Sequence, residues 1–278
     1  MKYLKLFFVL SIYLLIISAL IPIIAQVAEP QNAFRKARNG IYVVAHRGAH
    51  NGIPENSLAA YQKAINLGCD FVEIDVRTTK DGKFVSMHNA TIDSYVTGKK
   101  GKVRDYTLAE LLSLDIGSRT GPEWKDTRIP TFEQILQLCQ GKIGIYLDLK
   151  DAAVAPLIDL IKKYGMDRDV LWYLTANRIK EIREIATLCP DCIPMPDAGP
   201  ARNIDQVLNQ VKTIMLATDM GQLTEEFVQN SHALNAMVTV DEKEGTESEW
   251  EQILHWKTDG IQTDRPEELI KFLNNRKK

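Results

Sequence analysis

Phe71-Val72-Glu73-Ile74-Asp75-Val76-Arg77-Thr78-Thr79-Lys80-Asp81-Gly82-Lys83-Phe84-Val85-Ser86-Met87-His88 is the stretch on which the fold turns. It holds two apolar runs, Phe71–Val76 and Phe84–Met87, joined by residues 77–83 with Asp81-Gly82 as a strong turn signal. A parallel crossover needs about a dozen residues or more, so this connection is too short to make one. The second run therefore returns antiparallel, as a hairpin projecting beyond the first.

The rest of the chain repeats one theme. Short apolar runs at Ile41–Ala45, Ile143–Leu149, Val170–Leu174, Cys192–Met195, Thr213–Ala217, Ala236–Val240 and Gly260–Thr263 alternate with helical patterns. Examples of the latter are Ser57–Leu67, Leu108–Leu114, Thr131–Cys139, Ala153–Tyr164 and Ile204–Val211. Strands alternating with helices imply parallel pairing through right-handed crossovers. With the hairpin strand set aside, nine candidate strands become eight. The expectation is an α/β fold, a TIM-type (β/α)8 barrel with a hairpin projecting from the second strand. An open doubly wound sheet is the second choice. Either fold puts reactive groups at the C-terminal ends of the strands.

Strand parity then selects residues. Phe71, Glu73 and Asp75 share one face, while Val72, Ile74 and Val76 pack beneath helices. Two carboxylates on an interior face repel each other and lose hydration, so they take up a proton or find a cation. In Ile145-Tyr146-Leu147-Asp148-Leu149-Lys150 the same parity aligns Tyr146, Asp148 and Lys150. Asp148 is thus the expected third ligand beside Glu73 and Asp75. An all-oxygen set suits one divalent cation, Mg2+ or Ca2+, better than zinc. Lys150 is expected either to neutralise a bound phosphate or to pair with Asp148, and the two roles are compatible.

His46 ends the first strand and His88 the returning one. Imidazole titrates near neutrality, so two histidines flanking a metal site are candidates for acid and base. Arg47 offers a planar fork for phosphate oxygens. Gly48 permits either a close backbone approach or a turn. Glu55 either touches the site or caps the helix that begins at Ser57. Asp264, ahead of a helix with Pro266 early in it, fits a structural helix start.

Ala45-His46-Arg47-Gly48, Pro54-Glu55-Asn56-Ser57, Glu73-Ile74-Asp75-Val76, Asp81-Gly82, Met87-His88 and Asp259-Gly260-Ile261-Gln262-Thr263-Asp264-Arg265-Pro266 form an ordered series. That series resembles the glycerophosphodiester phosphodiesterase family, from about residue 41 onward. The resemblance implies a TIM-type barrel, catalytic His46 and His88, metal ligands Glu73 and Asp75, and phosphate contact through Arg47. Departures are Asp148 where Glu is common, Asn89 where Asp follows the histidine, Ser94-Tyr95-Val96 in place of Arg-Thr-Thr, and Val238 where Trp is frequent. The expected reaction is hydrolysis of a small glycerophosphodiester to an alcohol and glycerol 3-phosphate, with Arg47, Lys150 and Glu55 at the substrate. His46 is paired as base and His88 as acid. Rival readings are a cyclising phosphodiester lyase using the same histidines and a non-catalytic protein that binds phosphorylated headgroups.

Composition is that of a globular protein, with 45% hydrophobic and 25% charged residues among 278. The net charge of −2, and basic clusters without interleaved aromatics, give no reason to expect nucleic acid as a partner. Lys2 and Lys5 precede an uncharged run from Leu6 to Ala25, the polarity of a secretory leader. Residues 1–28 are expected to be a signal peptide or an N-terminal membrane anchor, 29–40 a linker and 41–278 the barrel domain. Export follows: periplasmic or secreted if the leader is cut, otherwise anchored and facing outward, with membrane contact only through that anchor. Self-association is left open. Cys189 and Cys192, the close pair, follow a helical stretch, the reverse of a thioredoxin-like motif, and are expected to be structural or incidental.

Overall fold

β-Branched and aromatic runs of three to eight residues form the strands of the computed structural model, which describes residues 34–276. The expected leader, residues 1–28, lies outside them. The strands are β1 (Tyr42–Ala45), β2 (Phe71–Thr78), β3 (Phe84–Ser86), β4 (Gly144–Leu149), β5 (Val170–Thr175), β6 (Ile193–Asp197), β7 (Met215–Asp219), β8 (Met237–Asp241) and β9 (Gly260–Thr263). β1 pairs in parallel with both β9 and β2, with Val44 opposite Gln262 on one side and Phe71 on the other. That double pairing closes the sheet, so the barrel is formed and the open sheet is not. β3 alone runs antiparallel, with Val76 opposite Ser86 and Thr78 opposite Phe84. The short turn at residues 79–82 makes the reversal, closed by a hydrogen bond from Gly82 N to Thr79 O.

Between the strands lie α1 (Leu58–Leu67), α2 (Leu108–Leu112), α3 (Phe132–Cys139), α4 (Val154–Lys163), α5 (Ile179–Leu188), α6 (Ile204–Gln210), α7 (Glu225–Ala233), α8 (Glu247–His255) and α9 (Pro266–Asn275). Their starts are chemically marked. Ser57 Oγ accepts from Ala60 N, and Thr107 and Thr131 build capping boxes with Glu110 and Gln134. Among the described residues no helix is long and apolar enough to cross a membrane.

Alternation along each strand sorts side chains into two layers. Val43, Val72, Ile74, Ile145, Leu147, Trp172, Val240 and Ile261 join the helix-facing core with Tyr61, Phe132, Ile161 and Phe227. Tyr42, Val44, Phe71, Tyr146, Leu171, Met195 and Met215 are also buried and occupy the opposite, interior parity. Near the barrel floor the Phe71 ring lies over Gly144, where an added Cβ would come within 2.4 Å of it. Above that layer the same interior parity carries Glu73, Asp75 and Asp148. The floor is therefore hydrocarbon and the rim is acid.

Residues 89–130, between β3 and α3, form an insertion with its own apolar cluster. Val85, Met87, Ile92, Val103, Leu111 and Ile129 are its buried members. Cys189 and Cys192 are joined in a disulfide that ties the end of α5 to the start of β6, while Cys69 and Cys139 are buried thiols.

The turn leaving β1 is the tightest point that bears on function. Arg47 adopts φ 51° and Gly48 φ 85°, both left-handed, and Gly48 N donates to Ala45 O. An added Cβ at Gly48 would stand 2.7 Å from Ala60 Cβ and 2.8 Å from the Ala60 carbonyl carbon. Close approach and turn geometry both require glycine here. Gly48→Ala is expected to lower unfolding free energy by about 2 kcal/mol or more, from a positive-φ penalty plus overpacking. Urea denaturation measures this, and a loss below about 0.5 kcal/mol, the range of neutral surface changes, would show that α1 yields freely.

Candidate active site

Parallel register brings the acidic residues together. Asp75 on β2 is the direct neighbour of Asp148 on β4, and Glu73 is the neighbour of Tyr146. Glu73 and Asp75 are 2% and 1% exposed. One oxygen from each of Glu73, Asp75 and Asp148 lies within 4.8 Å of the others, a group able to hold a metal ion. Burial, and next the charge of Asp75, push the Glu73 carboxyl well above the usual carboxylate range. Asp148 is also raised by burial, against the pull of Lys150.

Each carboxylate is held by a different residue. Glu73 Oε2 accepts from Arg47 N at 2.8 Å, which is possible because the left-handed turn aims that N–H at β2. Asp75 Oδ2 accepts from Asn56 Nδ2 at 2.8 Å. Asn56 Oδ1 in turn accepts from Tyr61 Oη and Ser86 Oγ, each at 2.8 Å, in a fully buried network. Lys150 Nζ lies 2.5 Å from Asp148 Oδ2 and 3.0 Å from Asp75 Oδ1. Asp75 Oδ1 makes no hydrogen bond, so the ion pair is its compensation. Lys150 thus pairs with Asp148, as one sequence reading had it, and with Asp75 as well.

The histidines come from separate elements. His88 follows β3, whose pairing sends Met87 N to Asp75 O at 2.9 Å, and this returns the chain to the height of the carboxylates. The Arg77 guanidinium donates to the Met87 and His88 carbonyls and fixes that end. His88 Nδ1 lies 2.9 Å from Asn89 Oδ1, while Asn89 Nδ2 donates to Ser94 Oγ at 2.7 Å. His46 Nδ1 lies 2.7 Å from Asp264 Oδ1. Burial alone would lower the His46 pKa, but the Asp264 hydrogen bond and the charges of Glu73 and Asp264 raise it from 6.5 to about 9.

Asp264 corrects the sequence expectation. The residue capping α9 is Arg265, without a side-chain cap, and Arg265 N is taken by Thr263 Oγ1. Asp264 instead serves His46, and His50 Nε2 stands 3.3 Å from the same oxygen. Glu55 is likewise settled against capping, since Ser57 caps α1. Both Glu55 oxygens accept from Arg47 Nη1, at 3.2 and 3.1 Å, so Glu55 holds the guanidinium.

A cavity of about 260 Å³ opens at the rim, lined by His46, Arg47, Glu73, His88 and Asp148 on one side. Its far side is Tyr146, Tyr173, Asp197, Thr218, Asp219, Asp241 and Gln262. The far aspartates were not picked out from the sequence. Each is the last residue of β6, β7 or β8, one or two positions past the apolar run that marks its strand, and strand-end placement was the available signal. Two histidines, an arginine and a carboxylate cluster gathered at one rim of a barrel have the make-up of an enzyme's site.

Comparison with known proteins narrows this. The family model for the glycerophosphoryl diester phosphodiesterase family matches residues 46–189. A glycerophosphodiester phosphodiesterase of Caldanaerobacter subterraneus subsp. tengcongensis is 30% identical over 243 residues, 83% of this chain and 97% of that protein. A putative glycerophosphodiester phosphodiesterase of Bacillus subtilis is 43% identical over 110 residues, 40% of this chain and 45% of that relative. The structure of an Oleispira antarctica phosphodiesterase in complex with the product sn-glycerol-3-phosphate has a TM-score of 0.76 and 23% identity. It covers 84% of this chain and 96% of its own, and the likeness is one of fold. The chain belongs to the glycerophosphoryl diester phosphodiesterase family, whose members are phosphoric diester hydrolases.

The His46–Asp264 pair sets a pH dependence. A folded pKa of about 9 against 6.5 means that protonated His46 stabilises the fold fully below 6.5, and that this contribution is lost as pH rises through about 9. Asp264→Asn is expected to lower the His46 pKa and flatten the decline in stability across that window. Histidine NMR titration with denaturant unfolding on either side of the window checks both, and an unmoved His46 pKa would show that Asp264 does not govern it.

Proposed function

We propose that this protein hydrolyses a glycerophosphodiester to an alcohol and glycerol 3-phosphate, with His46 and His88 as acid–base pair and a divalent cation at Glu73, Asp75 and Asp148. The observation that supports it most is convergence: both histidines, Arg47 and two of the three carboxylates line one cavity. The family relationship and the relatives' names support the diester as substrate class.

The residues present fit a hard cation. All three candidate donors are carboxylate oxygens, and one buried oxygen, Asp75 Oδ1, lacks a hydrogen bond. Oxygen-only donors select Mg2+ or Ca2+ over zinc. Such an ion supplies Lewis-acid polarisation of phosphate oxygens and offsets their charge. Arg47 presents its guanidinium to the phosphate, with Glu55 behind it as support rather than as a substrate contact. Lys150 adds a second positive charge at the same rim.

The hydrogen bonds of the two histidines favour a pairing opposite to the one expected from sequence. Asp264 keeps His46 protonated at neutral pH, which suits it to give a proton from Nε2 to the departing alkoxide. His88 differs. Its neighbour Asn89 cannot ionise, and the Asn89 amide is oriented by Ser94 so that Oδ1 faces the ring. His88 Nδ1 is therefore the donor, so in the neutral ring it is Nε2 that carries the lone pair and can accept a proton from the attacking water. The oxidised Cys189–Cys192 pair and the apolar leader together support export to an oxidising compartment.

His46→Ala and His88→Ala are each expected to lose about 10²- to 10⁴-fold in turnover of a glycerophospho-alcohol while the fold is retained. A p-nitrophenyl diester, whose leaving group needs no proton, should restore most of the activity of His46→Ala but not of His88→Ala. Recovery of His88→Ala instead would return the roles to the other order. A chelator should abolish turnover, and Mg2+ or Ca2+ should restore it; full activity with chelator present would remove the cation from the proposal.

A further inference from the structure

We propose that Tyr95 is a positioning residue for Arg47, acting through Glu55, and that it couples the arginine to the segment carrying His88. The inference rests on the reading of Arg47 as the phosphate contact.

Tyr95 belongs to the insertion that follows β3 and is 9% exposed. Its ring packs in the insertion's own apolar cluster with Ile92, Val96 and Val103. The hydroxyl leaves that cluster and donates to Glu55 Oε1 at 2.9 Å. The same Glu55 carboxylate receives Arg47 Nη1 with both oxygens. Tyr95 Oη also accepts a longer bond, 3.4 Å, from the backbone N of Asn89, the residue whose own side chain meets His88 Nδ1. One phenol thus joins the β1–α1 loop to the His88 segment.

Arg47 needs this support for a local reason. Its backbone N–H is used by Glu73 and its φ is left-handed, so the main chain is fixed while the side chain is not. Its Nε is buried without a hydrogen bond, and Asp75 is no closer than 3.9 Å. Among the described residues Glu55 is the one side chain that hydrogen-bonds the guanidinium, and Glu55 is itself 30% exposed, on a loop. Without the Tyr95 hydroxyl, the Glu55–Arg47 pair would be free to swing as a unit towards solvent. Burial, and next the Glu55 charge, hold the phenol protonated, so it stays a donor across the working pH range. A long surface arginine loses several rotamers on binding, and a support that removes them beforehand raises affinity without touching the ligand.

Tyr95→Phe keeps the ring and removes the donor. It should raise both the KM for a glycerophosphodiester and the Kd for inorganic phosphate by about fivefold, near the worth of one hydrogen bond, with kcat changed less than about twofold. Glu55→Gln should act in the same direction, and Tyr95→Phe added to Glu55→Gln should bring no further loss, because the path is already cut. Calorimetric titration with inorganic phosphate, run with a thermal melt of each variant, reads this independently of turnover. Unchanged phosphate affinity in Tyr95→Phe, or losses in the two variants that multiply, would overturn the proposal, as would a lowered melting temperature with affinity intact. A parent that binds phosphate yet turns over no glycerophosphodiester would refute the functional reading while leaving the Tyr95 test to stand. A parent that does not bind phosphate refutes both.

Discussion

Two carboxylates two residues apart on a buried strand are the constraint around which this rim is arranged. Glu73 and Asp75 lie at almost zero exposure, where an uncompensated pair of negative charges costs several kcal/mol per ion. Compensation comes from the Arg47 amide, the Asn56 amide and the Lys150 ammonium, drawn from the β1–α1 loop and the end of β4. That loop takes its shape from this duty. The left-handed turn at Arg47 and Gly48 points an N–H at Glu73, and Asn56, also left-handed at φ 50°, is braced by Tyr61 and Ser86 to face Asp75. Electrostatic need at β2 therefore dictates backbone conformation at β1–α1.

The two imidazoles show how one side chain acquires different behaviour from different neighbours. His46 meets a carboxylate that favours its cation. His88 meets a neutral amide that fixes a tautomer. Asn89, which departs from the family's usual Asp, is what separates the two. An amide beside one histidine and a carboxylate beside the other give two identical side chains different hydrogen-bonding demands without any change in the histidines themselves.

Much of the barrel was legible because its signals are local. Apolar runs mark strands, Ser57, Thr107 and Thr131 mark helix starts, and the short Asp81-Gly82 connection identifies the one antiparallel strand. Strand parity was enough to align Glu73, Asp75 and Asp148, since their partnership depends on register between neighbouring strands. What could not be read were contacts that close the circle. Asp264 is far from His46 in sequence and meets it only because β9 pairs with β1, and its position ahead of a helix with an early proline mimicked a cap. Asp197, Asp219 and Asp241 sit just past their strands, where single acidic residues look like ordinary loop starts. Tyr95 gave no periodic signal, because its ring serves one cluster and its hydroxyl another.

The insertion after β3 carries a hydrophobic cluster separate from the barrel's, and side-chain ties join it to the β1–α1 loop at Tyr95–Glu55 and at Trp124 Nε1–Gly52 O. Its interior can therefore be rewritten with little effect on the helices and strands that hold the carboxylates. Drift within residues 89–130 is therefore governed less by the packing of the barrel than by these two ties, and a segment exchanged between relatives would fit the same barrel as long as it presents matching donors to the β1–α1 loop.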